Sequence, residues 1–413
     1  MTFKKLPLLI CLGLWSITYQ ALGQRQFKII GYFPSWRDPK TLVNKIPYAK
    51  VTHLNYAFQN PDADGNLTAE ISDGLTELVA KAHAANVKVF ISLAGGAVAE
   101  NNTMMARYRD LCSSGKVAGF VQKIIAYVDQ YNLDGVDVDL EGPAIDEATY
   151  PGFISKLAAA LHAKGKLISA ALSQGYGAEE HVTDATIAQF DWVNVMAYDL
   201  TGPWDTNSPG PHSPYDWATQ QVTYFKGRNG NNKDKVIFGI PFYGYGFGAD
   251  AFTDEIRYAS ILAKYPTKGA QNLDQVGNTI YYNGIPTVKK KTTYAKANAG
   301  GVMIWEISED TVNHPYSLLS AINDVVAGVK ENPSQAAVIL YPNPASTQFS
   351  VEGLPSYKKI AVTVYDMLGK QVAYYNQFQE YYPLGKLKQG MYFVAITLDD
   401  KEYVKLKFNV ASE

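Results

Sequence analysis

Three carboxylates are spaced two residues apart in the segment Asp134-Gly135-Val136-Asp137-Val138-Asp139-Leu140-Glu141. Successive side chains of an extended strand point to opposite faces, so Asp137, Asp139 and Glu141 share one face and the apolar residues between them share the other. Like charges crowded on one face raise one another's pKa values, and a protonated carboxyl group then persists near neutral pH. The spacing therefore predicts a strand that carries a general acid.

Two other interpretations of the acidic strand have to be weighed. The segment Asp137-x-Asp139-x-Glu141-Gly142 matches the start of a calcium-binding loop, but Ala148 occupies the twelfth position, where such a loop needs a bidentate Glu. A solvated acidic face would suit the edge of an antiparallel sheet. The elements around this strand instead predict a central parallel strand, where unpaired acids are costly unless they have a function.

Those elements alternate regularly. From Phe27 onward, short apolar runs alternate with longer amphipathic segments, which is typical of strand and helix units around a parallel sheet. The predicted strands are Lys28 to Tyr32, His53 to Phe58, Lys88 to Ser92, Gly135 to Leu140, Leu167 to Leu172, Trp192 to Ala197, Val236 to Ile240 and Gly301 to Trp305. The predicted helices include Leu75 to Ala85, Gly119 to Tyr131, Tyr150 to Ala163 and Tyr294 to Ala299. Eight such units predict an α/β fold, the (β/α)8 TIM barrel. The alternative is a doubly wound open sheet, but no G-x-G-x-x-G motif follows the first strand.

Chemistry in such barrels takes place at the carboxyl ends of the strands. Read in order, these ends are Tyr32-Phe33, Tyr56-Ala57-Phe58, Ser92 to Gly96, Asp139-Leu140-Glu141, Met196-Ala197-Tyr198-Asp199, Tyr243 and Trp305-Glu306. Aromatic rings with polar edges suit the flat faces of sugars. The rim is therefore predicted to combine acids with surfaces on which a sugar can stack.

Composition excludes several classes of partner. The chain has 413 residues, enough for one large domain and a smaller one, and 47% of them are hydrophobic, which allows a sizeable core. A net charge of −2 argues against nucleic acid or an anionic membrane as the main partner. We expect a monomer.

The first 23 residues are predicted to form a secretory signal peptide. Lys4-Lys5 precedes an apolar run from residue 6 to about residue 17, and Ala21-Leu22-Gly23 resembles a cleavage site, so the mature chain begins near Gln24. A transmembrane anchor is the competing interpretation, but the run is short for a span and no other long apolar stretch exists. No integral membrane segment is expected after removal of the signal.

Cysteine and histidine offer no pattern for a disulfide or a metal. Cys11 leaves with the signal peptide, and Cys112 is then alone, so we expect it to be a buried small apolar residue. The six histidines, at positions 53, 83, 162, 181, 212 and 314, show no ligand spacing. Neither a metal nor a cofactor is expected.

The character of the chain changes near Lys330. Residues 24–329 hold the predicted barrel, residues 330–337 are polar and turn-prone and read as a linker, and residues 338–413 form a second domain. Its strand-like runs, with a turn at Asp366-Met367-Leu368-Gly369-Lys370, predict a small antiparallel β-sandwich; the runs are Ile360 to Tyr365, Met391 to Leu398 and Tyr403 to Phe408. One alternative for this domain is carbohydrate binding, with exposed rings from Tyr374, Tyr375, Tyr381 and Tyr382.

With these residues in view, the chain from about residue 27 to 326 resembles glycoside hydrolase family 18, the chitinase family. The acidic strand matches the family's D-G-x-D-x-D-x-E signature at every fixed position. Supporting matches follow at the sixth, seventh and eighth strands, namely Met196-Ala197-Tyr198-Asp199, Gly239-Ile240-Pro241-Phe242-Tyr243-Gly244 and Gly300-Gly301-Val302-Met303-Ile304-Trp305-Glu306.

The resemblance implies a role for each acid. Glu141 is expected to donate a proton to the glycosidic oxygen. The 2-acetamido group of the sugar acts as the nucleophile in this family, so no second carboxylate attacks, and the β configuration is retained. Asp139 is expected to orient the acetamido nitrogen, Asp137 to share a proton with Asp139, and Tyr198 to hydrogen-bond the acetamido group from the other side.

The remaining sugar contacts implied by the resemblance lie around the rim. Asp199 is expected to hold the distorted sugar, Trp305 to form the floor beneath it, and Trp204 to serve as a platform on the leaving-group side. The full set of expected substrate-binding residues is Tyr32, Phe58, Gly95, Met196, Asp199, Trp204, Tyr243 and Trp305.

Three departures from the family pattern affect these expectations. The turn Ser92-Leu93-Ala94-Gly95-Gly96 carries one residue more than the usual S-x-G-G, and Tyr245 stands where many members have Arg. About 60 residues separate Gly246 from Trp305, too few for the full α+β insertion that walls a deep groove in some relatives. We therefore expect a shallower cleft that favours endo attack or short oligomers.

The C-terminal region resembles the type A sorting domain of type IX secretion in Bacteroidetes. The resemblance lies in Tyr341-Pro342-Asn343-Pro344-Ala345, the Asp366 to Lys370 turn, Leu387 to Tyr392 and the Lys405-Leu406-Lys407 strand. It implies export across the outer membrane by the type IX machinery, and a secreted or cell-surface location.

Three functions remain open at this point. The first is a secreted chitinase that cuts β-1,4 bonds between N-acetylglucosamine units. The second is an endo-β-N-acetylglucosaminidase acting on the chitobiose core of N-glycans. The third is a chitin-binding lectin without turnover, against which the presence of Glu141 argues.

Overall fold

The structure is a computed structural model that describes residues 27–67, 74–175, 182–251, 254–265, 274–311, 314, 316–328, 338–354 and 357–411. The expected signal peptide (1–23) and linker (330–337) lie outside the described residues. Within those ranges, every helix is too short or too polar to cross a bilayer.

Eight parallel strands close into a barrel, and helices connect them on the outside. The first seven are β1 (Lys28–Pro34), β2 (His53–Ala57), β3 (Lys88–Ala94), β4 (Gly135–Asp139), β5 (Leu167–Leu172), β6 (Trp192–Val195) and β7 (Val236–Pro241). The eighth is Gly301–Trp305, which pairs with β7 and β1 and so closes the ring. Each barrel strand begins at the predicted residue and ends within two residues of the predicted end. The TIM barrel is confirmed.

An insertion separates β7 from the last barrel strand. It contains β8 (Tyr243–Gly246), β9 (Ile256–Arg257), β10 (Gln275–Val276) and β11 (Ile280–Tyr281), which form an antiparallel sheet in the order β10-β11-β8-β9. The barrel strand Gly301–Trp305 then follows as β12. The described part of the insertion is thus a small sheet with one short helix.

Helices lie between successive strands. They are α1 (Pro39–Leu42), α2 (Leu75–Ala84), α3 (Gly96–Ala99), α4 (Asn102–Cys112), α5 (Val117–Gln130), α6 (Tyr150–His162), α7 (Asp184–Ile187), α8 (Tyr215–Arg228), α9 (Tyr258–Lys264), α10 (Ile285–Asn298) and α11 (Leu318–Ala327). Helix α10 begins nine residues before the prediction, which started at Tyr294. The amphipathic pattern of this part of the helix is not visible in the run Lys289-Lys290-Lys291, because Lys291 occupies a fully buried position.

Strand alternation separates two packed layers. On β1, Ile30 and Tyr32 pack inside the barrel, while Ile29 and Phe33 pack against the helices. On β4, the apolar residues at positions 136 and 138 belong to the helix layer. Asp137 and Asp139 therefore point into the barrel, as the sequence pattern predicted. Cys112 is a free, buried thiol, and burial raises its pKa to about 12, so it is unreactive at neutral pH.

The C-terminal region is all β. Strands β13 (Ile339–Tyr341), β14 (Gln348–Glu352), β15 (Ile360–Tyr365), β16 (Gln371–Tyr375), β17 (Tyr382–Pro383), β18 (Gly390–Leu398) and β19 (Lys401–Val410) form two antiparallel sheets, in the orders β13-β14-β17 and β16-β15-β18-β19. The two sheets share one apolar core, in which the Phe349 ring lies 5.3 Å from Tyr382 and 4.7 Å from Phe408. Asp366 accepts the backbone N–H of Leu368 and of Lys370, each at 2.9 Å, which closes the predicted turn.

Candidate active site

Asp137 is the innermost acid of β4, and its side chain is fully buried inside the barrel. Its Oδ2 accepts the hydroxyls of Tyr32 (2.6 Å) and Ser92 (2.7 Å), and its Oδ1 accepts the Ser169 hydroxyl (2.6 Å) and the Asn194 amide (3.1 Å). Burial raises the pKa of Asp137, and these four hydrogen bonds oppose that rise. These hydrogen bonds occupy both oxygens of Asp137. Asp137 is therefore placed to influence the pKa of its neighbour Asp139 and not to contact a ligand.

Asp139 and Glu141 form a hydrogen-bonded carboxyl pair. Burial, then the charge of Glu141 and that of Asp137, hold the pKa of Asp139 well above its usual range, so Asp139 is the donor and Glu141 the acceptor of the hydrogen bond between them. The resemblance implied a proton shared between Asp137 and Asp139, whereas here the hydrogen bond of Asp139 is with Glu141. The other oxygen of Asp139, Oδ1, is buried without a hydrogen-bond partner.

Glu141 lies just after β4 with extended backbone angles (φ −118°, ψ 152°), so the alternation of the strand continues through it. Burial and the charge of Asp199 raise its pKa to about 7, although the hydrogen bond from Asp139 opposes the rise. A carboxylic acid with this pKa is half protonated at neutral pH, and it can both donate and accept a proton in one reaction cycle.

Tyr198 and Asp199 follow β6 and face Glu141 across the barrel mouth. Oδ1 of Asp199 accepts the hydroxyl of Tyr243 at 2.5 Å and that of Tyr245 at 3.1 Å, and it lies 3.2 Å from Nδ1 of His212. Tyr245 therefore supplies a neutral donor to this acid. About one third of the Asp199 side chain stays exposed, which leaves it open to a ligand.

The Tyr198 phenol is buried beside this group. Its ring meets Tyr243 edge to face at 6.1 Å between centroids, and its hydroxyl lies 3.8 Å from the sulfur of Met303. Burial, and then the charges of Asp139 and Asp199, hold the pKa of Tyr198 well above its usual range. The phenol is therefore a neutral hydrogen-bond donor at every working pH.

An aromatic surface covers the other side of the mouth. Trp305, at the end of β12, lies 5.3 Å from Tyr32, 5.7 Å from Phe58 and 6.2 Å from Trp36 between ring centroids. Trp36 stacks on Phe58 with an interplanar angle of 14° and is 52% exposed. Trp36 was not among the predicted site residues, because it lies three residues beyond Phe33, the predicted end of this part of the rim.

The turn after β3 packs against the Phe58 ring and against Glu141. Strand β3 runs on to Ala94, whose φ of +80° accommodates the extra residue before Gly95. A side chain on Gly95 would meet the Phe58 ring at 2.4 Å, and one on Gly96 would lie 3.3 Å from Oε1 of Glu141. The two glycines allow the backbone to pass directly under the ring and the acid.

A cleft of about 600 Å³ opens from Glu141 toward the ends of β5 and β6 and toward α8. It brings together five of the predicted site residues, which are Glu141, Met196, Tyr198, Asp199 and Trp204. Trp204 is 58% exposed and meets Tyr245 edge to face. Three lining residues on α8 were not predicted, because a helix outside the barrel gave no sign of reaching the mouth; they are Trp217, Gln220 and Gln221.

A family profile matches the part of the chain that forms the barrel and its acidic strand. The sequence profile of glycosyl hydrolases family 18 matches residues 28–310. This chain belongs to glycoside hydrolase family 18. The match covers every barrel strand and the complete D-G-x-D-x-D-x-E segment, so the family 18 assignment does not depend on the acidic strand alone.

Several members of family 18 are similar to this chain. The GH18 chitinase ChiB from the chitin utilization locus of Flavobacterium johnsoniae is 34% identical, with a TM-score of 0.66 over 74% of this chain and 96% of that structure. A chitinase-like effector of Moniliophthora roreri is 31% identical over 264 residues, 57% of this chain and 63% of the relative. Probable chitinase 10 of Drosophila melanogaster is 26% identical over 381 residues, 73% of this chain and 16% of the relative. The chain thus spans less than two thirds of the length of these two curated relatives.

The profile of the secretion system C-terminal sorting domain matches residues 339–409. Its Tyr341–Ala345 segment is held by Asn343, whose Oδ1 accepts the backbone N–H of Asn409 (2.9 Å) and whose Nδ2 donates to the carbonyl of Lys407 (3.1 Å), both on β19. The family 18 barrel is therefore followed by a type IX sorting domain, which indicates export to the cell surface or the medium.

One arginine supports the aromatic side of the family 18 site. Nη2 of Arg37 lies 3.1 Å from Glu255 and 3.0 Å from Glu309, and its Nε lies 3.0 Å from Glu306. Burial and the neighbouring Glu306 and Glu255 raise the pKa of Glu309 to about 10, so Glu309 is protonated at neutral pH. Arg37 follows Trp36 in the chain, and Glu306 follows Trp305. The ion pair between Arg37 and Glu306 therefore connects the two backbone segments that carry these tryptophans. The cluster around Arg37 joins three separate loops, which local sequence patterns do not reveal.

Proposed function

We propose that this chain is a chitinase, which hydrolyses β-1,4 bonds between N-acetylglucosamine units and retains the β configuration. The observation that carries the proposal is the Asp139–Glu141 pair, in which a carboxyl group with a pKa of about 7 lies beside a buried carboxyl oxygen without a partner. A glycosidase that uses the acetamido group of its substrate needs these two parts, one acid to protonate the leaving oxygen and one acceptor for the acetamido N–H.

In the first step, Glu141 transfers its proton to the glycosidic oxygen, and the bond from that oxygen to the anomeric carbon breaks. The acetamido carbonyl oxygen of the same sugar attacks the anomeric carbon and gives an oxazolinium ion. Asp139 accepts the acetamido N–H and stabilises the positive charge that develops there. General acid catalysis of this kind contributes about 10²- to 10⁴-fold, and the internal nucleophile adds the advantage of an intramolecular reaction.

In the second step, a water molecule adds to the anomeric carbon and loses a proton to Glu141, and the ring of the oxazolinium ion opens. Two inversions at one carbon leave the β configuration unchanged, and Glu141 regains the proton that it lost. Tyr198 donates to the acetamido group, and Asp199 accepts hydroxyls of the bound sugar. Trp305 supplies the apolar floor, and the neighbouring Trp36 extends it for longer chains.

The test compares three substrates with the purified chain. Colloidal chitin, chitotriose and a high-mannose glycoprotein are incubated side by side with the wild type and with Glu141→Gln. We expect soluble chito-oligosaccharides from the wild type and none from the variant. Release of glycans without chito-oligosaccharides would instead identify an endo-β-N-acetylglucosaminidase. Binding of chitin without any product would identify a lectin.

A further inference from the structure

One buried lysine is not used by the steps proposed above. Lys291, on α10, has no exposed surface, and its Nζ lies 2.7 Å from the carbonyl oxygen of Ser213, 2.6 Å from the Ser213 hydroxyl and 2.6 Å from Oδ1 of Asn283. None of the three acceptors is a carboxylate. Burial of the cation is costly and lowers the pKa of Lys291 to about 7, although the charge of Asp274 opposes that shift.

The hydrogen atoms of this cluster can be assigned. The Ser213 hydroxyl donates to the carbonyl of Ala197 at 2.5 Å, so it is free only to accept from Lys291. The Asn283 amide donates to the carbonyl of Ser213 at 3.2 Å, so its oxygen faces Lys291. Three acceptors therefore face Nζ, and an ammonium group has three N–H donors. A side chain of similar length without N–H groups, such as methionine, makes none of these three hydrogen bonds, and the wider planar head of arginine does not fit the three directions.

Lys291 binds Ser213, and the His212–Ser213 segment in turn binds the residues that follow β6. The carbonyl of His212 accepts the backbone N–H of Leu200 at 2.9 Å, and Nδ1 of His212 lies 3.2 Å from Oδ1 of Asp199. The Ser213 hydroxyl binds the carbonyl of Ala197, directly before Tyr198. Residues 197–200 are thus tied to His212 and Ser213 at three points. Asp199 needs such support, because its φ of +63° is left-handed and costs a non-glycine residue free energy.

We infer that Lys291 is a positioning residue for the reaction: it fixes the His212–Ser213 segment and, through it, the Tyr198 phenol and the Asp199 carboxylate. This inference rests on the proposed function for the reaction concerned. It assigns a role to a side chain that approaches the site from a helix outside the barrel and that does not contact the substrate.

The first experiment replaces Lys291 by methionine, which keeps the length of the side chain and removes all three donors. A matched control is Lys296→Met on the same helix, where the lysine is exposed and donates to two backbone carbonyls of α11, at 2.7 and 3.3 Å. We expect kcat/KM for chitotriose to fall about 10- to 100-fold in Lys291→Met, since a small displacement of a positioning group has an effect of this size. Lys296→Met is expected to keep the wild-type value. An unchanged kcat/KM in folded Lys291→Met overturns the inference.

The second experiment separates positioning from general loosening of the fold. In the Asp199→Asn background, Lys291→Met is expected to reduce kcat/KM further by less than about threefold, because two changes that act through one group are not additive. A full additional loss in that background means that Lys291 does not act through Asp199. If Lys291→Met does not fold, Ser213→Ala tests the same connection, since it removes the hydroxyl between Lys291 and Ala197. A loss of about 3- to 10-fold is then expected, and no loss overturns the inference.

The two proposals fail in different ways. If the wild type cleaves no chito-oligosaccharide, the proposed function is wrong, and the inference is then judged from a crystal structure of Lys291→Met. A displaced His212 and Asp199 in that structure supports the positioning role, and an unmoved pair overturns it.

Discussion

The barrel and the sandwich differ in the ionisable side chains that they bury. Among the described residues, every buried Asp, Glu and Lys side chain belongs to the barrel, where these are Asp137, Asp139, Lys291, Glu306 and Glu309. In the described part of the sandwich, Thr363 is the buried polar side chain, and the rest of the core is apolar. Charged residues of the sandwich lie outside its core: Asp366 lies in a turn, and Lys405 and Lys407 are exposed on β19. Both domains alternate inward and outward residues along their strands, so the difference lies in what the inward positions contain.

The polar atoms that lack partners show the same contrast. All the buried side-chain atoms without a hydrogen bond in the described parts of the chain lie in the barrel, and two of them are carboxyl oxygens, of Asp139 and Glu309. An unpaired buried oxygen costs free energy that a purely structural core avoids. The buried ionisable groups of the barrel are therefore concentrated in the domain for which a reaction is proposed.

Glu141→Gln should break the chemistry of the barrel most completely. The amide keeps the shape of the side chain but has no proton to transfer, so kcat is expected to fall by about 10³-fold or more. Affinity for chitotriose, measured by calorimetry, is expected to stay within a few-fold of the wild type, because the aromatic floor and Asp199 are intact. A variant that keeps a tenth of the wild-type kcat would contradict the role of Glu141.

Asp199→Asn should change both the rate and its pH dependence. Glu141 must be protonated to act as the acid, and its pKa is about 7, so kcat/KM is expected to fall as the pH rises through that value. The charge of Asp199 helps to raise this pKa, so its removal lowers the pKa and moves the alkaline limb to lower pH. We also expect kcat/KM to drop about 10- to 100-fold through lost hydrogen bonds to the sugar. An alkaline limb that stays at the wild-type pH would show that Asp199 does not raise the pKa of Glu141.

Trp36→Ala should weaken substrate binding and leave the fold intact. The ring is about half exposed, so the free energy of unfolding is expected to change by less than about 0.5 kcal/mol. Loss of a stacking surface is expected to raise KM for chitopentaose roughly 2- to 10-fold, with kcat unchanged. Trp36→Phe keeps an aromatic face and serves as the control. Equal effects of the two substitutions would argue against stacking.

Local patterns in the sequence predicted most of the fold and the acids of the site. The period-two alternation of β4 set which faces Asp137 and Asp139 would occupy, and the apolar runs located the start of every barrel strand. These signals are short-range, because each depends on neighbours within one strand. The same holds for the turn after β15, where Asp366 binds two backbone N–H groups within four residues.

The features that were missed depend on contacts between distant segments. Lys291 lies in a run of three lysines that is typical of a solvated helix face, and its partners are Asn283 and, 78 positions earlier, Ser213. Arg37 joins the side chains of Glu255 and Glu309, which lie 218 and 272 residues further along the chain. Tyr245 was visible as a departure from the family pattern, but its partner was not. Only the barrel geometry brings such groups together.

Phe349→Ala should have the smallest effect on hydrolysis. It tests whether the site in the barrel depends on the core of the sandwich. The ring is fully buried between Tyr382 and Phe408, so its removal is expected to destabilise the sandwich by about 3–5 kcal/mol. In the full chain, this should appear as a thermal unfolding transition at lower temperature, while kcat/KM for chitotriose stays within twofold of the wild type. Phe349→Leu, with a smaller cavity, should show the same pattern with a smaller shift. A parallel loss of activity in both variants would mean that the site depends on the sandwich core. The buried charges of the barrel would then need that domain to stay in place, and the two regions would form one cooperative unit.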